Sequence, residues 1–249
     1  RGNAFFLLYG AFKDTLKKYA QILDSKLPSP IPYQGTNVGG IVIAPFGGKQ
    51  ESAATSASYR IPTDEEVTVC HVISTCEYCA DTMEALEDLI RDTIDDEYKG
   101  KIDMMTDQER FHEITAKAVR VLVSGLTNRL EPALKAMTAT SWGTYDTVGE
   151  ESAYVLVIHE EIGPFVKTVR KLLPTSYFRS FCDKFASAFT ATYYENLIRL
   201  KRVSEPGTQQ LLLDLYNLKT LFLKIPVLEE GLGNKSTPAG ASIAPALYT

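Results

Sequence analysis

Between Met137 and Pro226 the apolar side chains recur at helical spacing and nowhere alternate as a strand requires. Phe178, Phe181, Phe185, Phe189 and Tyr193 stand three or four residues apart, so on an α-helix they line one side. Leu211, Leu215, Leu218 and Phe222 form a second stripe with heptad-like spacing. A helix with one apolar stripe must bury it against another element. The stretch therefore reads as helical packing surface, and it contains no catalytic signature.

The rest of the chain follows the same rule. Phe5, Leu8, Phe12, Leu16, Tyr19 and Leu23 mark a helix over about 5–25 that Pro28, Pro30 and Pro32 end. Thr63-Asp64-Glu65-Glu66 reads as a capping box that opens a long helix to about 97, with Val69, Ile73, Cys76, Ala80, Met83, Leu86 and Ile90 as its buried stripe. A second box, Thr106-Asp107-Gln108-Glu109, is expected to open the next helix, with Phe111, Ile114, Ala118 and Val121 inward and Pro132 kinking or interrupting it. Further helices are predicted over about 151–172 (Tyr154, Ile158, Ile162, Phe165, Val169, Leu172, bent at Gly163-Pro164), 175–202 and 206–224. Residues 33–58 are rich in small residues and read as a mobile insertion. The expected fold is all-α, with six main helices and short connections that make them antiparallel neighbours in one or two bundles. The predicted organisation is a first helical segment at 1–105, a helical bundle at 106–226 and a loop or disordered tail at 227–249. The chain opens inside a helical pattern, so it is expected to be a piece of a longer protein.

Candidate chemistry is sparse. Cys70, Cys76 and Cys79 lie on one predicted helix, but Cys70 points about 120° away from Cys76 around the axis, and a tetrahedral zinc site needs its ligands to converge. Buried core thiols are the preferred reading. His159-Glu160-Glu161 begins like a zinc-protease helix, but Gly163 stands where the second histidine belongs. Gly47-Gly48-Lys49 lacks the first glycine and the final hydroxyl of a phosphate loop. These failures point away from an enzyme, a resident metal or a cofactor. Four cysteines are too few and too clustered for a secreted disulfide framework.

Charge is more informative. The net charge of −5 argues against a general nucleic-acid binder. Residues 63–110 hold 4 Lys/Arg against 15 Asp/Glu. Residues 164–202 reverse the balance, with Lys167, Arg170, Lys171, Arg179, Lys184, Arg199, Lys201 and Arg202 against Asp183 and Glu195. Two readings stand: solvated helix faces that attract each other within the molecule, or a basic docking face for an acidic protein or anionic lipid headgroups. The candidate basic face comprises Lys167, Arg170, Lys171, Arg199, Lys201 and Arg202.

Several words in the chain resemble one family. They are the Met137–Trp142 segment MTATSW, followed by Val148-Gly149 and Ser152-Ala-Tyr154-Val155; Tyr177-Phe178 with Phe181-Cys182, Lys184-Phe185-Ala186 and Phe189; and Gln210-Leu-Leu-Leu-Asp214 with Leu218-Lys219 and Pro226. Glu77-Tyr78-Cys79 adds a fourth. In order and spacing they resemble the C-terminal region of subunit fifty-three of the vacuolar-protein-sorting family, part of the Golgi-associated retrograde protein complex. The resemblance covers roughly 70–245 and implies a rod of stacked helical bundles in a vesicle tether without catalytic residues. It implies sister subunits and SNARE proteins as partners, with small GTPases or an anionic membrane surface beyond them, and no nucleic acid. It implies a peripheral location on the cytosolic face of trans-Golgi and endosome membranes, in retrograde transport. The rival reading is a helical adaptor or scaffold with no membrane role, although no repeat of 20–50 residues supports it. With Leu211, Leu215, Leu218 and Phe222 inward, Gln210, Asp214 and Lys219 are left to face outward or to bond neighbouring helices. The outward reading joins them with Arg179 and Lys184 in one candidate interaction patch.

Overall fold

The computed structural model describes residues 2–29, 61 and 65–227, and among these every regular element is a helix. They are α1 (Asn3–Ser25), α2 (Glu65–Thr93), the single turn α3 (Asp96–Lys99), α4 (Met105–Ala139), α5 (Ala153–Leu172), α6 (Thr175–Leu197) and α7 (Glu205–Lys224), with 3₁₀ turns at Trp142–Thr144 and Ile225–Val227. The expected insertion at 33–58, the first two residues of the Thr63–Glu66 capping box and the tail from 228 lie outside the described residues.

α4 is the spine. Its 35 residues span about 52 Å, and it packs against α1, α2, α5 and α6. Cross-contacts fix the directions. Glu66 of α2 meets Arg129 while Ala80 meets Gln108, so α2 and α4 are antiparallel. Phe165 of α5 faces Phe181 of α6, and Tyr154 faces Tyr193. Phe222 of α7 stacks on Phe185 and Phe189 of α6, whereas Asp214 sits near the Tyr193 end. α2 and α4, α5 and α6, and α6 and α7 are thus antiparallel pairs. Buried apolar side chains from Tyr9 to Ile225 join one core cluster. Residues from both sides of the boundary expected near 105 enter that cluster.

The stripes of α2, α4, α5 and α6 point inward as their spacing requires. Phe178, Phe181, Phe185, Phe189 and Tyr193 are all buried, and successive rings stand 5.9–6.3 Å apart. Each such ring contributes on the order of 1.5–3 kcal/mol of burial, which secures α6. α4 runs through Pro132 and α5 through Pro164 without interruption.

Three expectations fail. On α1 the buried residues are Tyr9, Ala20 and Leu23, while Leu8, Phe12 and Tyr19 of the predicted stripe are exposed. Polar docking sets this face: Tyr9 Oη donates to the Asp103 carbonyl at 2.7 Å and accepts the Asp103 N–H at 2.9 Å. Lys13 Nζ adds a 3.2 Å ion pair to buried Asp107. Second, Thr106 is no cap. α4 already begins at Met105, whose N–H goes to Asp103 Oδ1 at 2.9 Å, while Glu87 Oε2 takes the Met104 N–H. Third, α7 turns a different face inward. Only Gly207, Gln210, Asp214 and Leu218 are fully buried, Leu211 and Phe222 are half-buried, and Leu215 is exposed.

Candidate interaction surface

The connection from α4 to α5 and the start of α7 are knitted together at one end of the bundle. Trp142 is buried, its Nε1 donating to the Met137 carbonyl at 2.8 Å and its ring tilted against Tyr145. The Trp142 carbonyl accepts the Ser204 N–H at 3.0 Å. Ser204 Oγ donates to the Tyr145 carbonyl at 2.7 Å and caps α7 by accepting the Gly207 N–H at 3.1 Å, as a helix N-terminus requires. Gly207 must lack a side chain, since a Cβ there would stand 2.8 Å from the Trp142 carbonyl oxygen.

One turn further along α7, Gln210 uses both ends of its amide. Oε1 accepts the Gly149 N–H at 2.9 Å, and Nε2 donates to the Glu150 carbonyl at 2.7 Å and to Asp214 Oδ1 at 3.2 Å. Asp214 Oδ1 also accepts the N–H of Ser152, the N-cap of α5, at 2.9 Å. A carboxylate beside a helix N-terminus is favoured by the helix dipole. Next to it the Tyr154 and Tyr193 hydroxyls meet at 3.2 Å. Burial raises both phenols above their ordinary range, and the Asp214 charge adds to the effect.

This geometry corrects the proposed patch. Gln210 and Asp214 are fully buried and hold α7 to the 149–152 segment, so neither offers a surface. Arg179, Lys184 and Lys219 are exposed as expected, but no recorded contact joins them into one site.

The basic face also divides. Lys167, Arg170, Lys171 and Arg179 gather about the α5–α6 turn, where Arg170 lies 4.8 Å over the Phe178 ring. Arg199, Lys201 and Arg202 follow the far end of α6, about 30 Å away along the helix. These last three line one groove. With Leu200 they face Thr138, Thr140, Ser141, Trp142, Gly143 and Thr144 across a groove of about 590 Å³. The three cations are visible in the sequence, but the hydroxyl-bearing wall opposite is not, because nothing in their spacing ties residues 138–144 to 199–202. The charge run within the loop was its only signal.

The remaining candidates are structural. All four cysteines are free and buried. Burial pushes the Cys70 and Cys76 thiols up to about 12 and Cys182 to about 11. Among the described residues no group of His, Cys, Asp and Glu could hold a metal ion, and no helix is long and apolar enough to cross a membrane.

A protein-family model described as exocyst complex component Sec6 matches residues 46–235. The chain belongs to the Sec6 family. This Sec6-family chain is 33% identical over 228 residues to vacuolar protein sorting-associated protein 53 A of Arabidopsis thaliana, covering 92% of the chain and 26% of that protein. It is 27% identical over 210 residues to the vacuolar protein sorting-associated protein 53 homolog of Caenorhabditis elegans, covering 80% of the chain and 26% of that protein. It thus spans about a quarter of the length of these curated relatives. They are the proteins that the MTATSW, Phe-Cys-Asp-Lys-Phe-Ala and Gln-Leu-Leu-Leu-Asp words resemble. No solved structure matches the Sec6-family chain significantly.

Proposed function

We propose that the protein is a non-enzymatic subunit of a vesicle-tethering complex of the Golgi-associated retrograde type, acting in transport from endosomes to the trans-Golgi network. The observation that carries this reading is the alignment of 92% of the chain with a vacuolar protein sorting-associated protein 53. The structure supports it from another side. The resemblance words fall on architecture: Trp142 seats the α4–α5 connection, Phe181 and Phe185 fill the core, and Gln210 and Asp214 lock α7. They leave the exposed faces of the bundle for contact with sister subunits, SNARE proteins, small GTPases or a membrane. Arg179, Lys184 and Lys219 on α6 and α7 belong to that outward surface, and the protein would sit peripherally on the cytosolic side of trans-Golgi and endosome membranes.

The test is depletion of the full-length protein, with retrieval of a receptor that cycles between endosomes and the trans-Golgi network as the readout. Slowed retrieval, together with co-purification of sister tethering subunits, is expected. Normal retrieval with no such co-purification would overturn the reading in favour of an adaptor without a membrane role.

A further inference from the structure

The loop between α6 and α7 reads Ile198-Arg-Leu-Lys-Arg-Val203. Its three cations lie on one wall of the 590 Å³ groove, with Thr138, Thr140, Ser141 and Thr144 on the other. Glu195 and Glu205 flank the run in sequence. Yet among the described residues no ion pair joins any carboxylate to Arg199, Lys201 or Arg202. The backbone amides of Lys201 and Arg202 likewise donate to no described residue. A soluble domain usually disperses such cations or pairs them. Here they stand together, with free donors beside them.

Apolar side chains border the same run. Ile198 is 63% exposed, Val203 37%, and Tyr194, one turn before Ile198 on the same side of α6, 61%. A partner that is only an acidic peptide gives these three side chains no role. A membrane surface does: headgroup phosphates meet the cations, an aromatic ring sits at the interface, and an aliphatic side chain enters the acyl boundary.

We propose that the α6–α7 loop and its groove form a contact site for anionic phospholipid, with Arg199, Lys201 and Arg202 binding headgroup phosphate and Ile198, Val203 and Tyr194 entering the bilayer interface. The site deepens the tethering reading and rests on it for its biological sense. The loop is held from beneath. The Trp142 carbonyl holds the Ser204 N–H at 3.0 Å, and Gly143 packs so closely on Arg202 that a Cβ would stand 3.3 Å from the Arg202 Cβ. The loop is thereby presented by the core rather than dangling from it. The second basic cluster lies at the other end of α6 and has no exposed large apolar side chain in the turn beside it.

The experiment is flotation of the whole chain with phosphatidylcholine vesicles, with and without phosphatidylserine. Binding is expected only with the anionic lipid and should weaken as salt is raised. At about fivefold per cation, Arg199→Gln/Lys201→Gln/Arg202→Gln should lower partitioning roughly a hundredfold. The matching Lys167→Gln/Lys171→Gln/Arg179→Gln variant should stay within about threefold of wild type, because the attraction from a cluster several Debye lengths away is largely screened. Ile198→Ser should cost about tenfold through lost apolar burial. All substituted positions are solvent-facing, and an unchanged melting curve confirms folding. Equal losses from the two triple variants would overturn the site, as would an unchanged Ile198→Ser variant or binding indifferent to phosphatidylserine. Preference for an acidic helical peptide, with vesicles ignored, would reassign the loop to a protein partner. Vesicle binding needs no sister subunit, so this result is independent of cargo retrieval in depleted cells.

Discussion

Gln210 and Asp214 stand one helical turn apart on α7 and share a hydrogen bond of 3.2 Å, while each also reaches a different backbone group of the 149–152 segment. α7 buries few large side chains besides Leu218, so this polar pair carries much of its attachment. Gln210→Ala removes three hydrogen bonds and strands Asp214 without its amide partner. The expected loss is about 2–3 kcal/mol, seen as a lower urea midpoint at constant slope. Asp214→Asn keeps an acceptor for the Ser152 N–H and should cost less than Asp214→Leu. Equal effects of those two variants would show that the carboxyl oxygen does not anchor the loop.

The same pair marks the limit of what sequence shows. In α6 the five aromatic residues repeat at one phase, so period and burial agree. In α7, Leu211, Leu212, Leu213, Leu215, Leu218, Leu221 and Leu223 nearly encircle the helix, and periodicity selects no face. The face that turns inward is the one from which Gln210 and Asp214 accept the N–H groups of Gly149 and Ser152. A long-range backbone demand leaves no trace in local spacing. α1 repeats the lesson, since Tyr9 and Lys13 turn it toward Asp103 and Asp107, ninety-four residues away in each case. The groove beside Arg199 was half legible: its cations formed a run, and its hydroxyl wall came from another connection.

Glycine substitutions should separate close approach from mere flexibility. Gly207→Ala drives a Cβ to 2.8 Å from a backbone oxygen that cannot swing away. It should cost about 2 kcal/mol through the Trp142–Ser204 contact. Gly10→Ala meets nothing within 4 Å on α1 and should gain about 0.5–1 kcal/mol from helix propensity. Thermal melts of the two variants should shift in opposite directions.

Alkaline pH should weaken the fold from about the ordinary thiol value of 9 upward. Burial holds the Cys70 and Cys76 thiols protonated up to about 12, so the native state binds more protons than the unfolded chain between those limits. Stability is then complete below the unfolded value and falls as pH rises, by up to about 1.4 kcal/mol per pH unit for each thiol. Urea midpoints at pH 8 and pH 10 measure this. In the native protein a thiol reagent at pH 8 should label none of the four cysteines quickly, and in urea it should label them all.

Arg129 joins three helices: its guanidinium lies 3.0 Å from Glu66 Oε2 of α2 and 5.0 Å over the Phe165 ring of α5, from its own place on α4. Glu66 is buried, so removing the cation alone leaves a carboxylate with neither water nor its partner. Arg129→Leu should cost about 3–5 kcal/mol, more than any exposed pair such as Lys135–Glu131, whose loss should stay within about 0.5 kcal/mol. Glu66→Leu combined with Arg129→Leu removes both charges and substitutes apolar volume at the same junction. The double variant should recover part of the single loss, because desolvating an ion pair offsets most of its attraction. A double-mutant cycle by urea denaturation measures the coupling. A double variant as unstable as the sum of the two singles would mean that the pair contributes through shape alone, and that the α2–α4–α5 junction does not depend on their mutual charge.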